Sequence, residues 1–74
     1  NPETTIRYAL PKVSNVRIDV FNLLGQRVST LVNNSVLAGY HEIKFSGSQL
    51  PSGYYTYRIQ TDGYHEVKKM MLIK

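Results

Sequence analysis

The chain contains no cysteine and no tryptophan. Without cysteine neither a disulfide nor a thiolate metal site can form, so covalent staples are not used, whichever compartment holds the protein. Long apolar runs are missing as well. None approaches the roughly 20 residues that a membrane-spanning helix needs, which excludes insertion by that route. No amino-terminal signal peptide is visible. The chain opens on Asn1-Pro2-Glu3, which reads as the middle of something. A fragment of a longer protein, or a mature piece released from one, is therefore expected, with any secretion signal upstream. Helical periodicity is absent too. A single helical turn near Ser48 and Leu50 is the most the pattern allows.

Acidic residues are scarce, five against nine lysines and arginines, for a formal net charge of +4. That balance suits an anionic partner. Yet the cations are scattered, and only Lys68 and Lys69 are adjacent. No basic stripe is interleaved with exposed aromatics, so nucleic acid is not an expected partner.

Catalytic groups are equally sparse. His41 and His65 are the two histidines, and the acids are Glu3, Asp19, Glu42, Asp62 and Glu66. Asp19 falls opposite the apolar set of its strand and reads as a solvated residue. Asp62 is explained by its turn. Glu42 and Glu66 point away from the histidines beside them. No nucleophile with a base and an orienting group emerges, so the chain does not read as an enzyme. The two histidines could approach each other if their strands pair, but zinc needs three or four protein ligands. No metal and no other cofactor is expected.

What is present is period-two alternation along almost the whole chain, the mark of strands with one buried face. At 74 residues it reads as a single domain, residues 1–74. A domain this small buries about 60% of its unfolded surface and is marginally stable. Ile6, Tyr8 and Leu10 alternate with Thr5, Arg7 and Ala9 until Pro11 stops the strand. Val16, Ile18 and Val20 alternate with Arg17, Asp19 and Phe21. Asn22-Leu23-Leu24-Gly25-Gln26 is a turn, with Gly25 at positive φ. A short strand follows over residues 27–32, and Asn33-Asn34-Ser35 reads as a loop. His41, Ile43 and Phe45 alternate with Tyr40, Glu42 and Lys44. Residues 46–49 form a second loop. Leu50-Pro51-Ser52-Gly53 is a tight turn in which Pro51 sets φ and Gly53 takes a positive value. Tyr55, Tyr57 and Ile59 alternate with Tyr54, Thr56 and Arg58. Thr61-Asp62-Gly63 is a hairpin turn, since Asp-Gly tolerates positive φ. The last strand takes residues 64–74, and its apolar Met70, Met71, Leu72 and Ile73 are expected in the core. Six or seven strands spaced about ten residues apart spell a β-sandwich or small barrel.

Gly39-Tyr40-His41-Glu42-Ile43-Lys44 is echoed by Gly63-Tyr64-His65-Glu66-Val67-Lys68. The simplest account is a turn glycine followed twice by the same strand start. Among the six tyrosines, Tyr8, Tyr55 and Tyr57 share faces with aliphatics and belong to the core or its edge. Tyr40, Tyr54 and Tyr64 are the candidates for exposed contacts, a sugar platform included.

Five motifs carry a family resemblance across essentially the whole chain. They are the opening from Asn1-Pro2-Glu3 to Leu10-Pro11; Val20-Phe21-Asn22-Leu23-Leu24-Gly25-Gln26-Arg27-Val28; Ala38-Gly39-Tyr40-His41-Glu42-Ile43; Leu50-Pro51-Ser52-Gly53-Tyr54-Tyr55; and Lys68-Lys69-Met70-Met71-Leu72-Ile73-Lys74. In this order they resemble the C-terminal sorting domain of type IX secretion substrates, the Por secretion tail of type A. The flagellar hook-cap immunoglobulin-like domain is a more distant likeness.

The resemblance implies an all-β, immunoglobulin-like β-sandwich of six or seven mostly antiparallel strands. It implies a non-catalytic signal domain that directs an attached cargo through the periplasm and across the outer membrane of a Gram-negative bacterium. The cargo would be secreted or held at the cell surface. The implied partners are the outer-membrane translocon and a sortase-like protease that can remove the domain after export. Carried onto this chain, Pro51, Gly53 and Tyr55 form a shaped turn. Lys68, Lys69, Met70, Met71, Leu72, Ile73 and Lys74 form the terminal signal. Tyr54 and His65 depart from the family's usual small β-branched and apolar residues. A reading from another class is a self-assembling subunit of an extracellular filament or tube, because a small sandwich exposes sheet edges that can pair with other copies. A carbohydrate-binding accessory module is a further alternative.

Overall fold

A computed structural model describes residues 3–73. The described residues form six strands and no helix: β1 (Glu3–Leu10), β2 (Ser14–Phe21), β3 (Arg27–Val36), β4 (Gly39–Ser46), β5 (Gly53–Gln60) and β6 (His65–Leu72). All pairings are antiparallel. β1 and β4 make a two-stranded ribbon, and the other four make a sheet in the order β3-β2-β5-β6. The result is the small immunoglobulin-like sandwich that the alternation and the resemblance imply.

The core lies between the two layers. Ile6, Leu10, Val16, Ile18 and Ile59 form one buried cluster. Val20, Phe45, Tyr55 and Leu72 form the second. Each is an inward member of a period-two series, and burying one such side chain contributes about 1.5–3 kcal/mol.

Three local readings are corrected. Asn33, Asn34 and Ser35 are not a loop. They continue β3, opposite Arg17, Val16 and Asn15. Their side chains are exposed on an edge strand, so pairing of the backbone with β2 outweighs their preference for turns. Gly63 is not among the positive-φ residues. Its turn is closed by Thr61, whose N–H donates to the Tyr64 carbonyl at 2.8 Å. The Thr61 hydroxyl oxygen also accepts from the N–H groups of Gly63 and Tyr64. Asp62 then fastens this turn to the start of β2. Its carboxylate accepts the Asn15 N–H at 3.0 Å, and its own N–H donates to the Ser14 hydroxyl at 3.0 Å.

The third correction concerns the tail. Of its apolar residues only Leu72 is fully buried, at 1% exposure, whereas Met71 and Ile73 are 52% and 54% exposed. Met70 is half-buried. β6 is an edge strand, and strand geometry sends only alternate side chains inward.

A fourth difference is the largest. Asp19 is not solvated but completely buried. The β2–β3 register slips between Ile18 and Asp19, which sets Thr30 opposite Asp19. The Thr30 hydroxyl donates to one carboxylate oxygen at 2.8 Å. Arg17 donates to the other at 2.8 Å, and Arg58, opposite on β5, reaches it at 3.4 Å. Phe21 lies under the Arg58 guanidinium at 5.2 Å. The outward face of the sheet thus carries a small polar core of its own. Burial alone would raise the Asp19 pKa. The hydrogen bonds from Arg17 and Thr30, with the charges of Arg17 and Arg27, outweigh burial and hold it below the ordinary carboxylate value.

Candidate docking surface

The two halves of the expected signal meet at one end of the sandwich. The turn before β5 is shaped by Gly53, whose φ of 150° is closed to most L-residues. Tyr55 locks it, its hydroxyl donating to the Pro51 carbonyl at 2.7 Å. The β5–β6 register then sets Gly53 opposite Leu72, Tyr54 opposite Met71, Tyr55 opposite Met70 and Thr56 opposite Lys69. Residues more than a dozen positions apart in the chain become neighbours by strand pairing.

Burial divides their roles. Tyr55 and Leu72 are buried, at 5% and 1% exposure, and hold the end of the sheet in shape. Pro51, Lys68, Lys69, Met71 and Ile73 are exposed, and Gly53 and Met70 are half-buried. Lys69 and Met71 share the outer face with Tyr54, and the Lys69 ammonium sits 5.5 Å from the Tyr54 ring centroid. Lys68 projects from the opposite face, across from Tyr57. Lys74 lies outside the described residues.

Sequence reasoning did not assign Leu23 and Leu24 to this surface. They tip the β2–β3 turn, 73% and 84% exposed. Asn22 fixes them there. Its side-chain oxygen accepts the N–H groups of Leu24 and Gln26 at 2.9 and 3.0 Å, and Gly25 turns the chain at φ 81°. A groove of about 320 Å³ separates this turn from the one before β5, lined among others by Leu23, Leu24, Val28, Leu50, Pro51 and Tyr54. Two adjacent leucines inside a turn were the available signal, since turn tips are ordinarily polar.

The histidines do not meet. His41 is on the ribbon and His65 on the four-stranded sheet. His41 stacks on Tyr8, with ring centroids 5.4 Å apart, and its Nε2 lies 2.6 Å from the Leu37 carbonyl. No group of three metal-ligating side chains occurs among the described residues. A larger recess of about 680 Å³ lies at the ribbon, lined by Arg7, Tyr8, Ala9, Tyr40, His41 and Glu42. Tyr40, Tyr54 and Tyr64 are exposed as expected, but Tyr40 is on the ribbon, Tyr54 near the start of β5 and Tyr64 in the turn after its end, so the three form no single stripe.

The described residues thus form a two-layer β body that presents a shaped turn and an edge strand side by side. The model of the secretion system C-terminal sorting domain matches residues 1–74, the whole chain, and the chain belongs to that family. It is a C-terminal sorting signal for type IX secretion, which implies engagement with the secretion machinery and export to the cell surface or the medium. The family is one of signal domains and not a known catalytic family. No curated protein and no solved structure matches the chain.

Proposed function

We propose that this chain is the single terminal domain of a longer secreted protein and that the outer-membrane translocon reads it at the end just described. The exposed residues Pro51, Lys68, Lys69, Met71 and Ile73 touch the receptor, with Leu23 and Leu24 beside them. Gly53, Tyr55, Met70 and Leu72 keep those side chains in register, and Lys74 extends the signal. The free edge of β6 accepts a strand of the receptor, so that backbone bonds supply affinity and the flanking side chains supply selection. The domain itself is non-catalytic. After passage through the periplasm and the outer membrane, a sortase-like protease separates it from its cargo.

The observation supporting this reading is the pairing of β5 with β6, which joins the turn at residues 51–53 to the terminal strand. Amide exchange of a precursor bound to the translocon tests it. The alternate β6 amides that face away from β5 gain protection on binding, while those of β3 do not. Protection gained along β3 with β6 unchanged would overturn the assignment.

A further inference from the structure

The four-stranded sheet has two outer edges, and they are built differently. Along β3 the register slips twice, between Ile18 and Asp19 and between Val20 and Phe21. Such bulges twist an edge away from foreign strands. β6 has no slip. It pairs with β5 without interruption from Gly53↔Leu72 to Gln60↔His65, and no described strand covers its other side. Lysines are the remaining common protection of an edge, and here one of them is matched by an acid of the same strand. Glu66 and Lys68 flank Val67, with side chains 52% and 56% exposed and 3.6 Å apart.

That triplet is complementary to itself. If two copies of β6 lie antiparallel with Val67 facing Val67, each Glu66 faces the Lys68 of the other copy. Opposite charges placed directly across such a pair are favourable, and like charges are not. Val67 itself is 57% exposed, so the same pairing covers an apolar side chain that the single chain leaves in water. The echoed triplet on β4 is already engaged. There Ile43 packs against the core, and Glu42 is held across the ribbon by Arg7 at 3.3 Å.

We propose that two copies of this chain pair edge to edge through β6, about a two-fold axis at Val67, joining their four-stranded sheets into one of eight. The bulged β3 edges end the sheet on either side, so this contact gives a closed dimer and not a fibre. The consequence for sorting rests on the reading of β6 as the docking edge: a paired β6 is masked, and the secretion machinery engages the single chain.

Sedimentation velocity on the whole 74-residue chain, without any translocon, tests the pairing independently of export. The wild type forms a dimer as concentration rises through the micromolar range. E66K and K68E each bring like charges together twice across the axis, and each weakens dimerisation about tenfold or more. An equimolar mixture of the two variants recovers the dimer, because every facing pair then joins opposite charges. The chain has no native cysteine, so V67C gives a clean second readout. Directly opposed Cα atoms about 4.5–5.5 Å apart lie within disulfide reach. V67C therefore cross-links on mild oxidation far faster than M71C, which has no counterpart opposite it. A wild type that stays monomeric at millimolar concentration would overturn the proposal. So would single charge variants that dimerise like the wild type, or equal cross-linking of V67C and M71C. Failure here leaves the docking reading standing, since receptor engagement needs no second copy.

Discussion

Replacing Asp19 with alanine lowers the melting temperature of the domain by about 15 °C. Asp19 has no exposed side-chain surface, and Arg17, Arg58 and Thr30 all direct donors at it. Removing one member of a buried ion pair costs about 3–5 kcal/mol when the partner stays buried. Here Arg17 and Arg58 are 37% and 40% exposed and can turn to water, so the cost is nearer 2–3 kcal/mol. A chain of this size has about 4–11 kcal/mol of stability in all, and each kcal/mol moves its midpoint by about 4–8 °C. The same site sets an acid limit. The folded Asp19 pKa lies below its unfolded value, so its contribution is complete above about pH 4 and is lost as pH falls through the folded value. Asp19→Asn removes that part of the acid dependence. Urea midpoints measured from pH 6 down to pH 2 check both statements. A midpoint for Asp19→Ala equal to that of the wild type would contradict them.

Leu72→Ala is the second large effect, a loss of about 2–4 kcal/mol. Leu72 is 1% exposed and packs with Val20, Phe45 and Tyr55. It fills the space beside Gly47, where a Cβ would collide with its Cδ1 atom. This one side chain fastens the end of β6 to the core. Its truncation loosens the strand as well as the domain, and the β6 amides exchange at rates approaching those of the exposed turns. Met71→Ala, one residue away on the outer face, changes stability by no more than about 0.5 kcal/mol. Equal losses for the two variants, measured by urea unfolding, would show that the tail is not anchored by Leu72.

Much of this was legible in the residues because period two is a strong signal when one face is buried. Ile6 and Leu10, Val16 to Val20 by alternate steps, and Tyr55 with Ile59 each declare a strand and its inward face. What alternation cannot report is cover on the outer face. Asp19 occupies a polar slot, and only the slip in the β2–β3 register and the neighbouring β5 bring Thr30 and Arg58 over it. Asn33-Asn34-Ser35 misleads for the opposite reason: their turn preference is local, and pairing with β2 is not. The tail reads as uniformly apolar, yet its position at a sheet edge buries Leu72 fully and Met70 only in part. The docking surface was half legible. The turn at Pro51 and Gly53 and the terminal strand stand out as motifs, while the nearness of Leu23 and Leu24 follows from the turn lying across a groove from Pro51.

The measurement closest to the central claim is export of a cargo joined to this domain carrying Lys69→Glu with Met71→Glu. Both side chains are exposed on the outer face of β6, so unfolding midpoints should stay near the wild-type value. The expected result is a folded precursor whose cargo no longer reaches the cell surface or the medium. Normal export of that folded variant would contradict it.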